Sequence, residues 1–201
     1  MRVAIHPYHF SRVLFALVLI SLMAVFLSEC PSLGQDNIPA KVDGFQADVP
    51  NLMIARPGIY TSGQPSEEGI RRLSSLRIKT LVNLRPHEEN GARDESGEAA
   101  ILGMKYANVP LTPSTFTVQK IEELRCLLHD PKNYPVLIHC RSGNRASGAW
   151  FVYRVLFENA SIPSALMEAK TLGLEPALEP TLLEFVEKAK SQKVEELCRL
   201  L

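Results

Sequence analysis

The chain predicts an α/β domain, a mostly parallel central sheet flanked by helices. Two short apolar runs, "IKTLVNLR" (78–85) and "PVLIHC" (135–140), are rich in β-branched residues and read as buried strands. Between and after them lie segments whose apolar residues recur at helical spacing, and Gly, Pro and Asn mark the junctions. Strands that alternate with helices in this way pair in parallel, and ligands bind beyond their carboxyl ends.

Each element follows in order. "LMIARPGIYTSGQP" (52–65) predicts a short strand or hairpin ending in a Gly-Gln-Pro turn. Ser66 followed by Glu67 and Glu68 opens a helix with a core stripe of Ile70, Leu73 and Leu76. The strand at 78–85 leads into a polar loop, "PHEENGARD", then a helix near 95–102 and a strand "YANVPL" (106–111). Residues 117–128 carry Val118, Ile121, Leu124 and Leu128 at helical spacing. After "PVLIHC" come a Ser142-Gly143 turn and a helix from about 146 to 157. Two further helices close the chain, one ending at Gly173 and one starting at Pro180, where a first-turn proline costs no hydrogen bond.

Ahead of the domain, Arg2 and Arg12 precede the uncharged run "VLFALVLISLMAVFL" (13–27), which is short for a membrane span. Basic, then apolar, then small residues (Ser32, Gly34) describe a signal peptide spanning 1–34, with cleavage before Gln35. An uncleaved N-terminal anchor is the alternative. Residues 35–50 lack periodicity and read as a linker, so the domain is expected to span 51–201. The expectation is an exported protein, periplasmic or secreted, touching a membrane only through an uncleaved N-terminal segment.

Lys plus Arg and Asp plus Glu number 22 each; without residues 1–34 the balance is 20 basic to 21 acidic. No overall field would recruit nucleic acid, so any anion binding is local. Three of the four cysteines, Cys126, Cys140 and Cys198, stay with the domain; an odd count leaves at least one thiol unpaired, and no spacing suggests zinc. Cys126 and Cys198 fall on helical segments and read as structural thiols.

Cys140 differs in its setting. A strand, a short Gly-bearing loop and a helix aim successive backbone N–H groups at one point, at the positive end of the helix dipole. Sulfur in such a nest is stabilised as thiolate and becomes a nucleophile. Arg145 supplies a planar two-pronged donor for an oxyanion. The amides of Arg141, Ser142, Gly143 and Asn144 complete the cradle, with the Arg141 side chain read as solvated. His139 and Ser147 are candidates for supporting the loop; a buried structural histidine is the plainer reading of the former.

"IHCRSGNRAS" resembles the signature loop of the cysteine-dependent, dual-specificity and tyrosine-type phosphatases. "GIYTSGQPSEEGIRRLSSLRIKTLVNLRP" with "LGMKYANVPL" is similar to the opening of the bacterial branch of that superfamily. The resemblance covers about 51–174 and implies a cysteine-dependent phosphatase-like fold. It implies hydrolysis of a phosphate monoester on a protein or small molecule: Cys140 attacks phosphorus, Arg145 and the loop amides hold the oxygens, and water releases the thiophosphate. No cofactor or metal is called for. Two departures stand out. The phosphatase pattern places five residues between cysteine and arginine, which points to position 146, where Ala146 stands. Four residues before Arg145 is also the spacing of rhodanese-type sulfurtransferases, in which the cysteine would carry a persulfide. Second, the loop after "YANVPL", which in such phosphatases bears an acidic proton donor, reads "TPSTF" and has no carboxylate. Glu88, Glu89 and Asp94 are the tentative general acids, against the plainer reading of solvated loop charges. A catalytically weak anion-binding module is the third reading. Gln64, Asn83 and Arg85 fall at element ends that border the pocket or serve as structural hydrogen-bonders.

Overall fold

Six strands form one mixed sheet in a computed structural model that describes residues 39–200, with side chains to residue 192. The predicted segment 1–34, residues 35–38 of the lead-in and the side chain of Cys198 lie outside the described residues. The strands are β1 (Ala40–Lys41), β2 (Met53–Arg56), β3 (Ile59–Ser62), β4 (Thr80–Asn83), β5 (Lys105–Asn108) and β6 (Val136–His139), in spatial order β1-β2-β3-β6-β4-β5. The β3-β6-β4-β5 pairs are parallel, and β1-β2-β3 adds an antiparallel edge. The helices are α1 (Glu67–Leu73), α2 (Ser96–Ile101), α3 (Val118–His129), α4 (Asn144–Phe157), α5 (Ile162–Thr171) and α6 (Glu179–Leu200). The predicted α/β architecture is borne out. Among the described residues no helix is long and apolar enough to cross a membrane.

Period-two alternation sorts the strands onto two cores. Val82, Leu84, Val136, Ile138 and Cys140 pack with residues of α3 to α6, including Ile121, Leu124, Trp150, Phe151, Ala165 and Leu182. Leu81 and Leu137 face the other way, against Ile70 and Leu73 of α1 and Ala99 of α2. Odd and even positions at the end of β6 therefore serve opposite faces: Cys140 belongs to the α4 side and His139 to the α1/α2 side. In register, Ser62, His139 and Asn83 stand level at the carboxyl ends of β3, β6 and β4.

Caps explain the helix starts. The Ser66 hydroxyl accepts the Gly69 N–H (3.0 Å) at α1, as the sequence predicts. Thr117 caps α3 and Ser161 caps α5 in the same way. α4 begins two residues earlier than predicted, because Gly143 adopts φ +101° and turns the chain directly into the helix. β5 ends at Asn108 rather than 111, since Pro110 has no N–H for the ladder; Val109 and Leu111 still donate to Asn83 and Leu84 carbonyls. Val118, expected in the α3 stripe, is 41% exposed at the first turn, so the buried stripe starts at Ile121. Cys126 lies on α3 as predicted but is exposed, not in the core.

The described part of the lead-in is not a free linker. Ala40 and Lys41 pair with β2, and Phe45 and Val49 are buried in the α1/α2 core. The Asp48 carbonyl accepts the Ser66 N–H (2.8 Å), and its carboxylate pairs with Arg72 (2.5 Å). A Cβ on Gly69 would stand 2.3 Å from the Asp48 carbonyl oxygen, so the contact requires glycine. The folded unit therefore starts before residue 51: Phe45 and Val49, spaced too irregularly to register as an element, complete the core under α1.

Candidate active site

The loop 140–143 joins β6 to α4 at the carboxyl end of the parallel strands. The Gly143 N–H donates to Cys140 Sγ (3.2 Å), and the sulfur is buried beside the first turn of α4. The first N–H groups of a helix have no partner within it, so this turn presents donors and a positive dipole end to the sulfur. The loop is pinned from outside. Gln64 N–H donates to the Arg141 carbonyl (3.1 Å), and the Asn51 amide to the Ser142 carbonyl (2.9 Å). Ser147, buried in α4, donates to the Gly143 carbonyl (3.0 Å) and lies 2.9 Å from the Leu172 carbonyl, tying the loop to the end of α5. Asn144 Oδ1 accepts the Glu175 N–H (3.0 Å).

A cavity of about 360 Å³ opens beside the loop. Arg141, Ser142, Asn144 and Arg145 line one side, Ala177, Leu178 and Thr181 another, with Pro113 and Glu89 at the rim. Arg145 is held at its place: Nη1 donates to the Leu111 carbonyl (2.9 Å), and both Nη atoms meet the Glu89 carboxylate at 2.7 and 2.8 Å. The two-pronged donor expected from the sequence is thus engaged by a protein carboxylate.

Arg85, 3% exposed at the end of β4, shapes the neighbouring loop. Its Nε donates to Glu89 (2.9 Å), and its Nη atoms to the Asn90 and Gly91 carbonyls (both 2.7 Å) and to Gln64 Oε1 (3.0 Å). Glu89 consequently sits between two guanidiniums. Burial by itself would raise its pKa, but the hydrogen bond and charge of Arg145, then those of Arg85, outweigh it and hold the carboxyl below its ordinary value. Asp94 is fully exposed; hydrogen bonds from Ser96 lower its pKa as well, its carboxylate accepting the Ser96 N–H at 2.9 Å. Both shifts favour the charged carboxylate in this structure, the opposite of the raised pKa that suits a proton donor. Glu88 does not line the cavity.

His139 makes no hydrogen bond to the loop. Its ring lies on the α1/α2 side, wholly buried, with Nε2 3.0 Å from Glu95 Oε2; the ring is not aligned for a hydrogen bond, so the contact is one of proximity. Glu95, also wholly buried, accepts from Gln64 Nε2 and from Asn83 Nδ2 (3.0 Å). Sequence reasoning missed Glu95; it placed Gln64 and Asn83 at the site border without this shared partner, and Arg85 there without Glu89. Among the described residues no group of three His, Cys, Asp or Glu side chains is arranged to hold a metal ion.

A mixed sheet with a buried cysteine under a helix N-terminus and an arginine on the first helical turn defines the class of α/β folds with a cysteine loop built to meet an anion. Within that class, the chain belongs to the family of the phosphatase-like domain of beta-lactamase hydrolase-like proteins, whose model matches residues 51–156. It is 29% identical over 103 residues to inositol diphosphatase DSP4 of Arabidopsis thaliana, covering 49% of this chain and 51% of that one. It is 27% identical over 128 residues to the dual specificity protein phosphatase TpbA of Pseudomonas aeruginosa, covering 61% and 55%. The chain spans about half the length of these curated relatives. In fold it is similar to the crystal structure of P. aeruginosa TpbA (TM-score 0.61, 22% identity, 77% of this chain and 91% of that one). It is similar too to the core catalytic domain of the PP-IP phosphatase SIW14 of S. cerevisiae (TM-score 0.57, 19% identity, 71% and 92%).

Proposed function

We propose that this protein is a cysteine-dependent phosphatase that hydrolyses phosphate monoesters with good leaving groups. The carrying observation is the Gly143 N–H on Cys140 Sγ at the start of a helix whose first turn bears Arg145. Cys140 sulfur attacks phosphorus, forming the S–P bond as the P–O bond breaks. The loop amides and Arg145 hold the three phosphoryl oxygens while charge builds on them. A water then attacks phosphorus and releases Cys140 with inorganic phosphate. Binding at Arg145 exchanges the Glu89 carboxylate for two phosphoryl oxygens, either pair of oxygens accepting the paired N–H bonds of the guanidinium.

The leaving oxygen receives no proton from Glu89 or Asp94, so it departs as its anion. Such an enzyme favours aryl phosphates over alkyl phosphates, because general acid help is worth roughly 100- to 10,000-fold and matters most for poor leaving groups. The cavity supports a carrier with a single phosphate: two guanidiniums and one carboxylate line it, and Pro113, Ala177 and Leu178 provide apolar walls. A solved structure of TpbA in complex with pTyr agrees with an aryl phosphate, whereas the DSP4 relative is named an inositol diphosphatase. The basic, apolar and small-residue order of residues 1–34 supports action outside the cytoplasm, free or held by that segment.

The test is turnover of the domain with p-nitrophenyl phosphate, a phosphotyrosine peptide, a phosphoserine peptide, a diphosphoinositol, and thiosulfate plus cyanide. Hydrolysis of the first two well above the third is expected. Thiocyanate formation without phosphate release would replace this reading with sulfurtransfer.

A further inference from the structure

We propose that Glu95 is a positioning residue for the Cys140 site, acting through His139 and Gln64; the proposal rests on the phosphatase reading only for its turnover readout. Glu95 closes a chain of polar contacts that runs behind the cysteine loop from Arg145 back to Cys140. Arg145 pairs with Glu89, Glu89 with Arg85, Arg85 with Gln64 Oε1, and Gln64 Nε2 with Glu95. Glu95 then meets His139, which is bonded through its own peptide to Cys140. Arg145 and Cys140 are thus two ends of one network, partly exposed at Glu89 and wholly buried at Glu95 and His139.

Gln64, Asn83 and Arg93 turn N–H groups toward this carboxylate, and the orientations of Gln64 and Asn83 are fixed from their far sides. Gln64 Oε1 is occupied by Arg85, so its Nε2 must face Glu95. Asn83 Oδ1 accepts the Arg85 N–H (2.8 Å), so its Nδ2 faces Glu95, with Tyr106 hydroxyl 3.2 Å from the same nitrogen. Arg93 Nη2 approaches Glu95 Oε1 to 3.8 Å from the chain just before it. A wholly buried carboxylate among donors is a specific fit, because a neutral amide there would set N–H against N–H. Three strand ends converge on it: Gln64 follows β3, Asn83 ends β4 and His139 ends β6. Gln64 also holds the Arg141 carbonyl, one residue past the sulfur, through its own backbone N–H. Displacing Glu95 therefore moves the loop at two points, His139 and Arg141, flanking Cys140.

The experiment compares wild type, Glu95→Gln, His139→Asn and the double variant. Alkylation of Cys140 by iodoacetamide is followed peptide by peptide by mass spectrometry, with exposed Cys126 as the internal control, and kcat and KM are measured for p-nitrophenyl phosphate. Misplacement of a reacting group by about 1 Å costs on the order of 100-fold, so Glu95→Gln should lower kcat by roughly 10- to 100-fold with KM little changed. It should slow alkylation of Cys140 but not of Cys126. In the His139→Asn background most of that loss should already have occurred, the non-additivity of residues in one network. Should Glu95→Gln fail to fold, Glu95→Asp, which keeps the charge one carbon shorter, takes its place with a smaller change in the same direction. Losses that multiply independently of His139, or a lowered melting temperature with unchanged Cys140 reactivity, would overturn the proposal. A chain that turns over no phosphate yet shows the alkylation effect refutes the phosphatase reading and leaves Glu95 in its role.

Discussion

Glu89→Gln separates two roles that a carboxylate at this cavity can play. In the structure it accepts from Arg145 at 2.7 and 2.8 Å and from Arg85 at 2.9 Å, while its side chain is 23% exposed. The amide keeps one acceptor oxygen and loses the charge. Hydrogen bonds to charged groups are worth about 1.5–3 kcal/mol each when desolvated, and exposed pairs about 0–1 kcal/mol. Partial exposure, and the other acceptors that Arg85 and Arg145 retain, put the net loss at about 2 kcal/mol. The sign with pH follows from the depressed pKa: the contribution is present above the unfolded value near 4.5 and fades as pH falls through the folded one. Urea unfolding should therefore separate wild type from variant at pH 7 and bring them together as pH falls below 4.5 through the lower folded value. In the same variant the ratio of aryl to alkyl phosphate hydrolysis should hold, while KM falls because Arg145 loses a competing anion. A selective loss on alkyl phosphates of 100-fold or more would make Glu89 the proton donor and refute the argument. So would a stability difference that is independent of pH.

Two further outcomes are expected. Cys140→Ser should abolish turnover with folding intact, since a hydroxyl is a far weaker nucleophile than a stabilised thiolate, and Arg145→Lys should cost heavily because a point charge cannot grip two oxygens; activity surviving both changes would remove the loop from the chemistry. Gly69→Ala should destabilise the domain by about 1–3 kcal/mol or more, as an added methyl overpacks against the Asp48 carbonyl; a denaturation midpoint equal to wild type would show that residues 44–49 do not pack on α1.

The parallel sheet and the cysteine loop were legible because their signals are local. Buried strands end in polar residues, Ser66 caps a helix, and Gly143 sits between sulfur and helix. Glu95 was not legible, because as an acidic residue before a helix it looks like ordinary first-turn decoration, and its partners lie 12 to 44 positions away in sequence on three other segments. The available signal was parity: Asn83 and His139 close two apolar strands on the same face, and two buried polar groups there require a partner. Parity also explains why His139 does not orient the loop by a direct bond, since neighbours on a strand point to opposite faces. The lead-in escaped notice for a different reason. Phe45 and Val49 bury singly rather than as a periodic element, so pattern analysis has nothing to count.

The cavity wall at Ala177, Leu178 and Thr181 lies outside the residues matched by the family model, whereas Cys140, Arg145, His139 and Glu95 lie inside them. The cavity is thus built from two stretches of one chain, one inside and one outside the family match, tied together at the Asn144–Glu175 bond. Substitutions at Ala177, Leu178 and Thr181 therefore reshape one wall of the cavity with residues 140–145 left as they stand.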